Sequence, residues 1–268
     1  MSFKVFMPGG LSATEWSQAG WRLEGGEPVD EAEHKLITPV LHRHLPAGGV
    51  VVDAGCGTGK WVAHLHRRGH RIVGLDISAD ALALARREAP GAGLALADTQ
   101  RAPIRDASVD AALSLGVVEH DERGLEAGLR ELHRILKPGG VLVLDVPFNN
   151  WFRRLVTNPI AAWVTSRRRR AGWPLAFAEY RYDLRELRHA LATAGFDVIA
   201  AYPDELRPPY NIGLWVDLNN IRFDPFRAPS PDRIFRLDGV AATAMAAALR
   251  WCPWLVCGEV TLIATRRG

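Results

Sequence analysis

Between about residue 30 and residue 150, this 268-residue sequence alternates short apolar runs with amphipathic stretches of ten or so residues, and that alternation leaves few folds open. Val50-Val51-Val52, Arg71 to Leu75, Leu94 to Ala97, Val109 to Leu115 and Val141 to Val146 read as five strands. Helical stripes run over Glu31 to Leu45, Lys60 to Arg68, Ala79 to Glu88 and Leu125 to Leu136, and Ser78 stands where an N-cap is needed. Gly69, Pro90-Gly91 and the turn Lys137-Pro138-Gly139-Gly140 end helices. Strands joined through helices form βαβ units, whose right-handed crossovers build a mostly parallel sheet covered on both faces.

The second half is less regular. Residues 151–180 are rich in Trp, Arg and Phe and show no strand pattern. Asp183 to Ala194 is again helical, Phe196 to Ala201 reads as a sixth strand and Glu259 to Thr265 as a final one, with an Ala-rich helix over Ala241 to Trp251. Prolines at 203, 208, 209, 225, 229 and 231 predict an irregular insertion. Elements of one sheet flank both irregular stretches, which predicts a single domain over 1–268. It comprises an N-terminal segment (1–29), a core (30–150), an insertion (151–182) and a remainder (183–268) that holds a second insertion at 202–256.

With 48% hydrophobic and 24% charged residues, the composition excludes a disordered polymer and a disulfide-stapled miniprotein. The longest run free of charged or histidine side chains, Leu155 to Ser166, has twelve residues, against the ~20 of a membrane span. The opening MSFKVFMPGG lacks the apolar core of a secretion signal, and three cysteines, Cys56, Cys252 and Cys257, leave one unpaired. A reducing, cytoplasmic setting is expected.

Chemistry concentrates in Val51-Val52-Asp53-Ala54-Gly55-Cys56-Gly57-Thr58-Gly59-Lys60. Three glycines in five residues at a strand-to-helix turn let a ligand approach the backbone, and the helix N-terminus beyond offers free N–H groups. A dinucleotide, a phosphate group and another adenosine-containing ligand all suit such a loop. A phosphate loop needs Ser or Thr after its lysine, and Lys60 is followed by Trp61. The glycines fall G-x-G-x-G rather than G-x-G-x-x-G, and Asp53 would meet a pyrophosphate with like charge. The same carboxylate suits a ligand carrying a cationic amino group.

These residues resemble the first motif, acid-x-G-x-G-x-G, of the class I S-adenosylmethionine-dependent methyltransferases, in particular their small-molecule, type 11-like branch. The resemblance extends over about 120 residues and brings further motifs in order. It implies S-adenosylmethionine as cofactor. It also implies a Rossmann-like, doubly wound α/β fold: a mostly parallel seven-stranded sheet with helices on both faces, an antiparallel final strand and cap insertions after strands five and six. Asp53, Gly55, Cys56, Gly57 and Gly59 would form the cofactor loop. Asp76, 17 residues after Gly59, matches the acid that binds both ribose hydroxyls. A carboxylate accepts from a vicinal diol through two charge-assisted hydrogen bonds of roughly 1.5–3 kcal/mol each. Ile77 is placed like the residue that packs on adenine, and Asp98 with the Thr99 backbone like the groups that meet the adenine edge. Ser114 and Leu115, opening Ser114-Leu115-Gly116-Val117-Val118-Glu119-His120, correspond to the methionine end, and Leu132 to Gly140 is similar to the family's R-x-L-K-P-G-G stretch. Taken singly, each strand-end acid also reads as a helix cap.

The reaction so implied moves a methyl group to an O, N or C atom of a small-molecule acceptor, held in line at about 3–3.5 Å. His120 is the candidate base, although Glu119-His120 also reads as a loop-organising helix start. Tyr180 and Tyr182, with Trp151 and Arg153, are substrate-side candidates; packing is the other reading of the tyrosines. Between residues 151 and 188 nine arginines face three acids, so the chain's net +3 conceals a basic, Trp-rich insertion. That insertion reads as a lid for an anionic or aromatic acceptor, as a contact with an anionic membrane supplying a lipid-linked acceptor, or as a solvated face. The alternatives to small-molecule transfer are nucleic-acid methylation and a catalytically silent cofactor-binding module. A nucleic-acid partner is not expected, because Arg207-Pro208-Pro209-Tyr210 follows strand six rather than strand four and opens with Arg in place of Asn or Asp. No metal is expected either. His42/His44 and His64/His66 sit two apart on helices, so the members of each pair diverge, and they read as surface histidines.

Overall fold

The computed structural model describes residues 2–8, 31–204, 240, 243, 244, 247, 251–255 and 257–268. The elements, in chain order, are β1 (Phe3–Pro8), α1 (Glu31–His34), α2 (Ile37–His44), β2 (Val50–Ala54), α3 (Lys60–Arg67), β3 (Arg71–Asp76), α4 (Ala79–Glu88), β4 (Gly93–Leu96) and β5 (Val109–Leu115). A one-turn 3-10 helix at Val118–His120 leads to α5 (Glu126–Ile135) and β6 (Leu136–Pro147). A π-helical turn (Arg153–Thr157) then opens α6 (Asn158–Arg170), followed by β7 (Leu175–Arg181), α7 (Leu184–Thr193), β8 (Phe196–Asp204) and β9 (Glu259–Arg266).

Seven strands form one sheet in the order β4-β3-β2-β5-β6-β9-β8. β2 to β6 run parallel, and β9 lies antiparallel between β6 and β8. Side-chain alternation divides the core in two. Val52, Ala112, Leu142, Leu144 and Leu262 face the layer holding Leu129, Leu132 and Ile135 of α5 and Leu187 and Leu191 of α7. Val51, Ala111, Leu113, Val143 and Ile263 face the other layer, with Leu41 of α2, Val62 and Leu65 of α3 and Leu82 of α4. A strand buried on both faces must be apolar throughout, which is why these runs carry almost no polar residue. The expected doubly wound, mostly parallel seven-stranded architecture with an antiparallel final strand is present.

Several local expectations are corrected. Glu31 to Leu45 is two helices rather than one. Pro39 has no N–H to donate, so a helix cannot run through the preceding turn, and the chain restarts at Ile37. The Thr38 hydroxyl, donating to the Ala32 carbonyl, ties the two pieces together. Lys137 to Gly140 does not separate helix from strand. β6 begins at Leu136, opposite Val109, and the register slips before Val141 pairs with Ala111, so the four residues form an irregularity within the strand. Residues 151–180 do contain a strand: β7 pairs antiparallel with β1 in a two-stranded ribbon, Phe3 opposite Arg181 and Val5 opposite Glu179. Partners some 175 residues apart leave no local signal of their pairing. His64 is buried, not a surface residue; its Nε2 lies 3.3 Å from that of His42, and burial, reinforced by Arg68, pushes its pKa down to about 4. Residues 9–30, the Arg207-Pro208-Pro209-Tyr210 stretch and most of the expected 241–251 helix lie outside the described residues. Among those described, no helix is long and apolar enough to cross a membrane.

Candidate active site

Loops leaving the carboxyl ends of β2, β3 and β5 surround a cavity of about 380 Å³. At its floor the glycine turn is pinned to the neighbouring strand, Gly55 N–H and Cys56 N–H both donating to the Leu75 carbonyl at 2.8 Å. Two glycines are structurally required. Gly55 has φ +89°, and a Cβ there would lie 2.4 Å from Val117 Cγ2; Gly59, at φ +80°, opens α3 so near α4 that a Cβ would stand 2.6 Å from Ala85 Cβ. The close helix packing and the open turn together leave backbone facing the cavity.

Asp76 is set across this turn. Its Oδ2 accepts from Gly57 N–H and its Oδ1 from Ser78 N–H, both at 2.8 Å, which fixes the carboxylate and leaves each oxygen a further lone pair. Ile77 stands at the rim, 53% exposed, where a planar ring could cover it. Asp98 Oδ1 accepts from Gln100 N–H at 2.8 Å, and Asp98 and Thr99 both line the cavity. The opposite wall includes Gly116, Val117, His120 and Asp121. Asp121 accepts from the Gln100 amide at 2.7 Å and from Arg123, whose guanidinium holds its pKa down at about 2. This Gln100–Asp121–Arg123 brace was not anticipated; the Asp-x-Arg-Gly run at 121–124 is the only trace of it in the sequence.

Behind the wall lie buried acids. Asp53 is 2% exposed with one oxygen unpartnered, and burial, helped by Asp76 and opposed by Lys60, raises its pKa to about 7. Ser114 Oγ is likewise buried without a partner. Glu119 is buried, with Oε2 unpartnered and its pKa pushed up to about 7 by burial. Next to it, His120 places Nδ1 2.7 Å from the Ala178 carbonyl, so Nδ1 carries the hydrogen and Nε2, 3.7 Å from Glu119 Oε1, keeps its lone pair. Burial pulls the His120 pKa down, but Glu119, the Ala178 carbonyl and Glu179 outweigh it and leave the value raised.

The structure therefore gathers Gly55, Gly57, Asp76, Ile77, Asp98, Thr99 and His120 on one cavity. Asp53, Cys56, Gly59, Ser114 and Leu115 do not line it. Cys56 turns its thiol to the core, where burial raises its pKa, so only its backbone belongs to the turn. Among the substrate-side candidates, Arg153 is corrected: it is buried and donates to the carbonyls of Phe148 and Gly258, bracing the end of the sheet. Tyr182 is buried and stacks 5.6 Å from Tyr180, whose hydroxyl donates to the Glu122 carbonyl, while Trp151 is exposed outside the cavity. Elsewhere, Asp145, Asp204 and Glu259 bring carboxylate oxygens within 4.8 Å of one another, a grouping the sequence did not suggest; each has interactions of its own.

The residues fit an adenosine cofactor with a cationic tail: a fixed carboxylate for a diol, a second acid beside it, a backbone cradle without Cβ atoms, and a buried acid with an unused oxygen. In fold and in the make-up of this site the chain is similar to the class I S-adenosylmethionine-dependent methyltransferases. Residues 52–144 match the family model described as Methyltransferase domain (Methyltransf_11), and the chain carries that domain. It is 38% identical over 115 residues to the malonyl-[acyl-carrier protein] O-methyltransferase of Yersinia pestis, covering 43% of this chain and 42% of that one. To the tRNA (carboxymethyluridine(34)-5-O)-methyltransferase of Arabidopsis thaliana it is 34% identical over 104 residues, 38% of this chain and 25% of that one. The chain thus spans less than half the length of these relatives. The geranyl diphosphate C-methyltransferase of Streptomyces coelicolor A3(2), solved with Mg2+, geranyl-S-thiolodiphosphate and S-adenosyl-L-homocysteine, shares the fold at TM-score 0.55 and 20% identity, over 91% of this chain and 77% of that one.

Proposed function

We propose that the protein moves the methyl group of S-adenosylmethionine onto an O, N or C atom of an anionic or aromatic small-molecule acceptor. Bound in the cavity, the cofactor supplies a methyl group already activated on a sulfonium. Asp76 would hold the ribose, Asp98 and Thr99 the adenine edge, and Ile77 its face. Asp53 would lend its buried charge through the wall to the cationic end. What remains for the protein is to hold the acceptor in line and exclude water, and here the ribbon of β1 and β7 closes over the Val118–His120 turn.

One observation carries the reading of His120 as the group that receives a proton: its Nδ1–H is committed to Ala178, so Nε2 keeps a lone pair in a residue that lines the cavity. Such a base is needed for a hydroxyl or amine acceptor, whereas a carboxylate acceptor requires none. The two relatives described above are named for transfer to oxygen, and each name contains a carboxyl-bearing group, malonyl or carboxymethyl. An anionic oxygen acceptor is therefore favoured within the class. With a hydroxyl or amine acceptor, His120→Ala should lower kcat at least tenfold while leaving cofactor affinity within about twofold, as loss of a general base does, whereas with a carboxylate acceptor kcat should hold. Unchanged kcat with a hydroxyl or amine acceptor would remove His120 from the reaction.

A further inference from the structure

A helix on the surface of a folded domain turns its large apolar side chains inward. α6 does the reverse. Toward β1 it presents small and polar groups: Thr157 and Asn158 are buried, and Ala161, Thr165 and Ser166 line a cleft of about 240 Å³ against Phe3 to Phe6. Outward it shows Ile160 and Trp163, and the turn before it adds Trp151, Leu155 and Val156; all five are between 38% and 71% exposed. Within α6, Ile160, Trp163, Arg167 and Arg170 follow at steps of three and four and so share one face.

That face is also basic. Residues 151–178 contain six arginines and no acid. The Arg154 guanidinium lies 5.2 Å from the Trp151 ring and that of Arg167 5.0 Å from Trp163, so each exposed indole is paired with a cation beside it.

We propose that this face seats α6 flat on an anionic lipid bilayer. Trp151, Leu155, Ile160 and Trp163 enter the interfacial layer, and Arg154, Arg167 and Arg170 meet the lipid phosphates. The charge distribution selects among partners. A second copy in self-complementary contact would oppose arginine to arginine with no acid to answer it. A nucleic acid would satisfy the arginines but leave Leu155, Val156 and Ile160 with nothing to bury against. An anionic bilayer satisfies both. The segment leaves the carboxyl end of β6, the sheet edge that also carries the cofactor turn, so docking would bring the cavity's side of the molecule to the lipid. The docking does not depend on the proposed methyl transfer.

The test is sedimentation of the whole chain with phosphatidylcholine vesicles, with and without one-third phosphatidylglycerol, at low salt. Wild-type protein should pellet only with the anionic vesicles. Leu155→Ala/Trp163→Ala and Arg167→Gln/Arg170→Gln should each weaken binding tenfold or more, since each arginine at an anionic surface contributes about fivefold. Unaltered calorimetric binding of S-adenosylmethionine by both variants shows that they are folded. Absence of pelleting at low salt would overturn the proposal. So would pelleting that the Leu155/Trp163 variant leaves unchanged, or polyuridylate binding the wild type and that variant equally while displacing the vesicles, which would assign the face to nucleic acid.

Discussion

At the scale of single residues, Asp53 is held under tension. Its carboxyl is buried, one oxygen has no partner, and its pKa stands near 7. A carboxyl whose folded pKa lies above its unfolded value binds its proton more tightly when folded. Its contribution to stability is present below about pH 4 and lost as the pH rises through about 7. Asp53→Asn removes that loss, so in urea unfolding at pH 8 the cofactor-free variant should be more stable than wild type by on the order of 4 kcal/mol, the gap closing near pH 4. The variant should also bind the cofactor more weakly, because the role proposed for the acid is to face a cation. A variant less stable than wild type at pH 8 would mean that the buried carboxylate is well compensated in the free protein. His120 yields a second expectation. Its pKa is raised, and a base works only when deprotonated, so kcat/KM for a protonated acceptor should fall on acidification with a midpoint above 6.5. A midpoint below that value would contradict the Glu119 and Ala178 contacts as the governing influences.

At the scale of elements, the glycine turn and the β1–β7 ribbon do different work. The turn joins β2 to α3 at a spacing only glycine permits. Gly59→Ala combines a left-handed φ with a collision against the α4 backbone and should cost about 3 kcal/mol or more in chemical denaturation. The ribbon bears on His120. Phe6 packs edge-on against Phe177, 6.2 Å between ring centroids, and Arg169 lies 5.4 Å from the Phe6 ring. Phe6→Ala should loosen β7 and with it the Ala178 carbonyl, lowering kcat several-fold while the cofactor dissociation constant holds; loss of cofactor binding instead would show that the ribbon supports the whole cavity. The two elements also differ in how far the sequence disclosed them. The turn is legible because its chemistry is local: three glycines, an acid before them and an acid at the next strand end. The ribbon is not, because its partners are far apart and β7 is a mixed run, LAFAEYR, whose alternation is too weak to mark a strand. Likewise the break before α2 was signalled by Pro39, but the apolar stripe runs through it.

At the scale of the whole molecule, the sheet order β4-β3-β2-β5-β6-β9-β8 places the loops that line the cavity on one edge. That edge could be located in advance, since parallel strands with crossover helices bring their carboxyl ends together and each predicted acid fell at one of them. What the sequence concealed was that, among the described residues, none from the second half lines the cavity. Arg153, basic and adjacent to the site in sequence, is spent on carbonyls at the sheet end, because a buried guanidinium must be satisfied by hydrogen bonds wherever the backbone leaves acceptors. Charge totals were similarly opaque: a net +3 gave no hint that α6 and the turn before it carry six of the arginines without one acid. The central claim is that Asp76, fixed by Gly57 and Ser78, binds S-adenosylmethionine in this cavity, and titration calorimetry of wild type and Asp76→Ala tests it most directly. One molecule should bind per wild-type chain, and removal of two charge-assisted hydrogen bonds should weaken binding by about a hundredfold or more while the melting curve stays close to wild type. Wild-type affinity in the Asp76→Ala protein, or no binding to wild type, would contradict it.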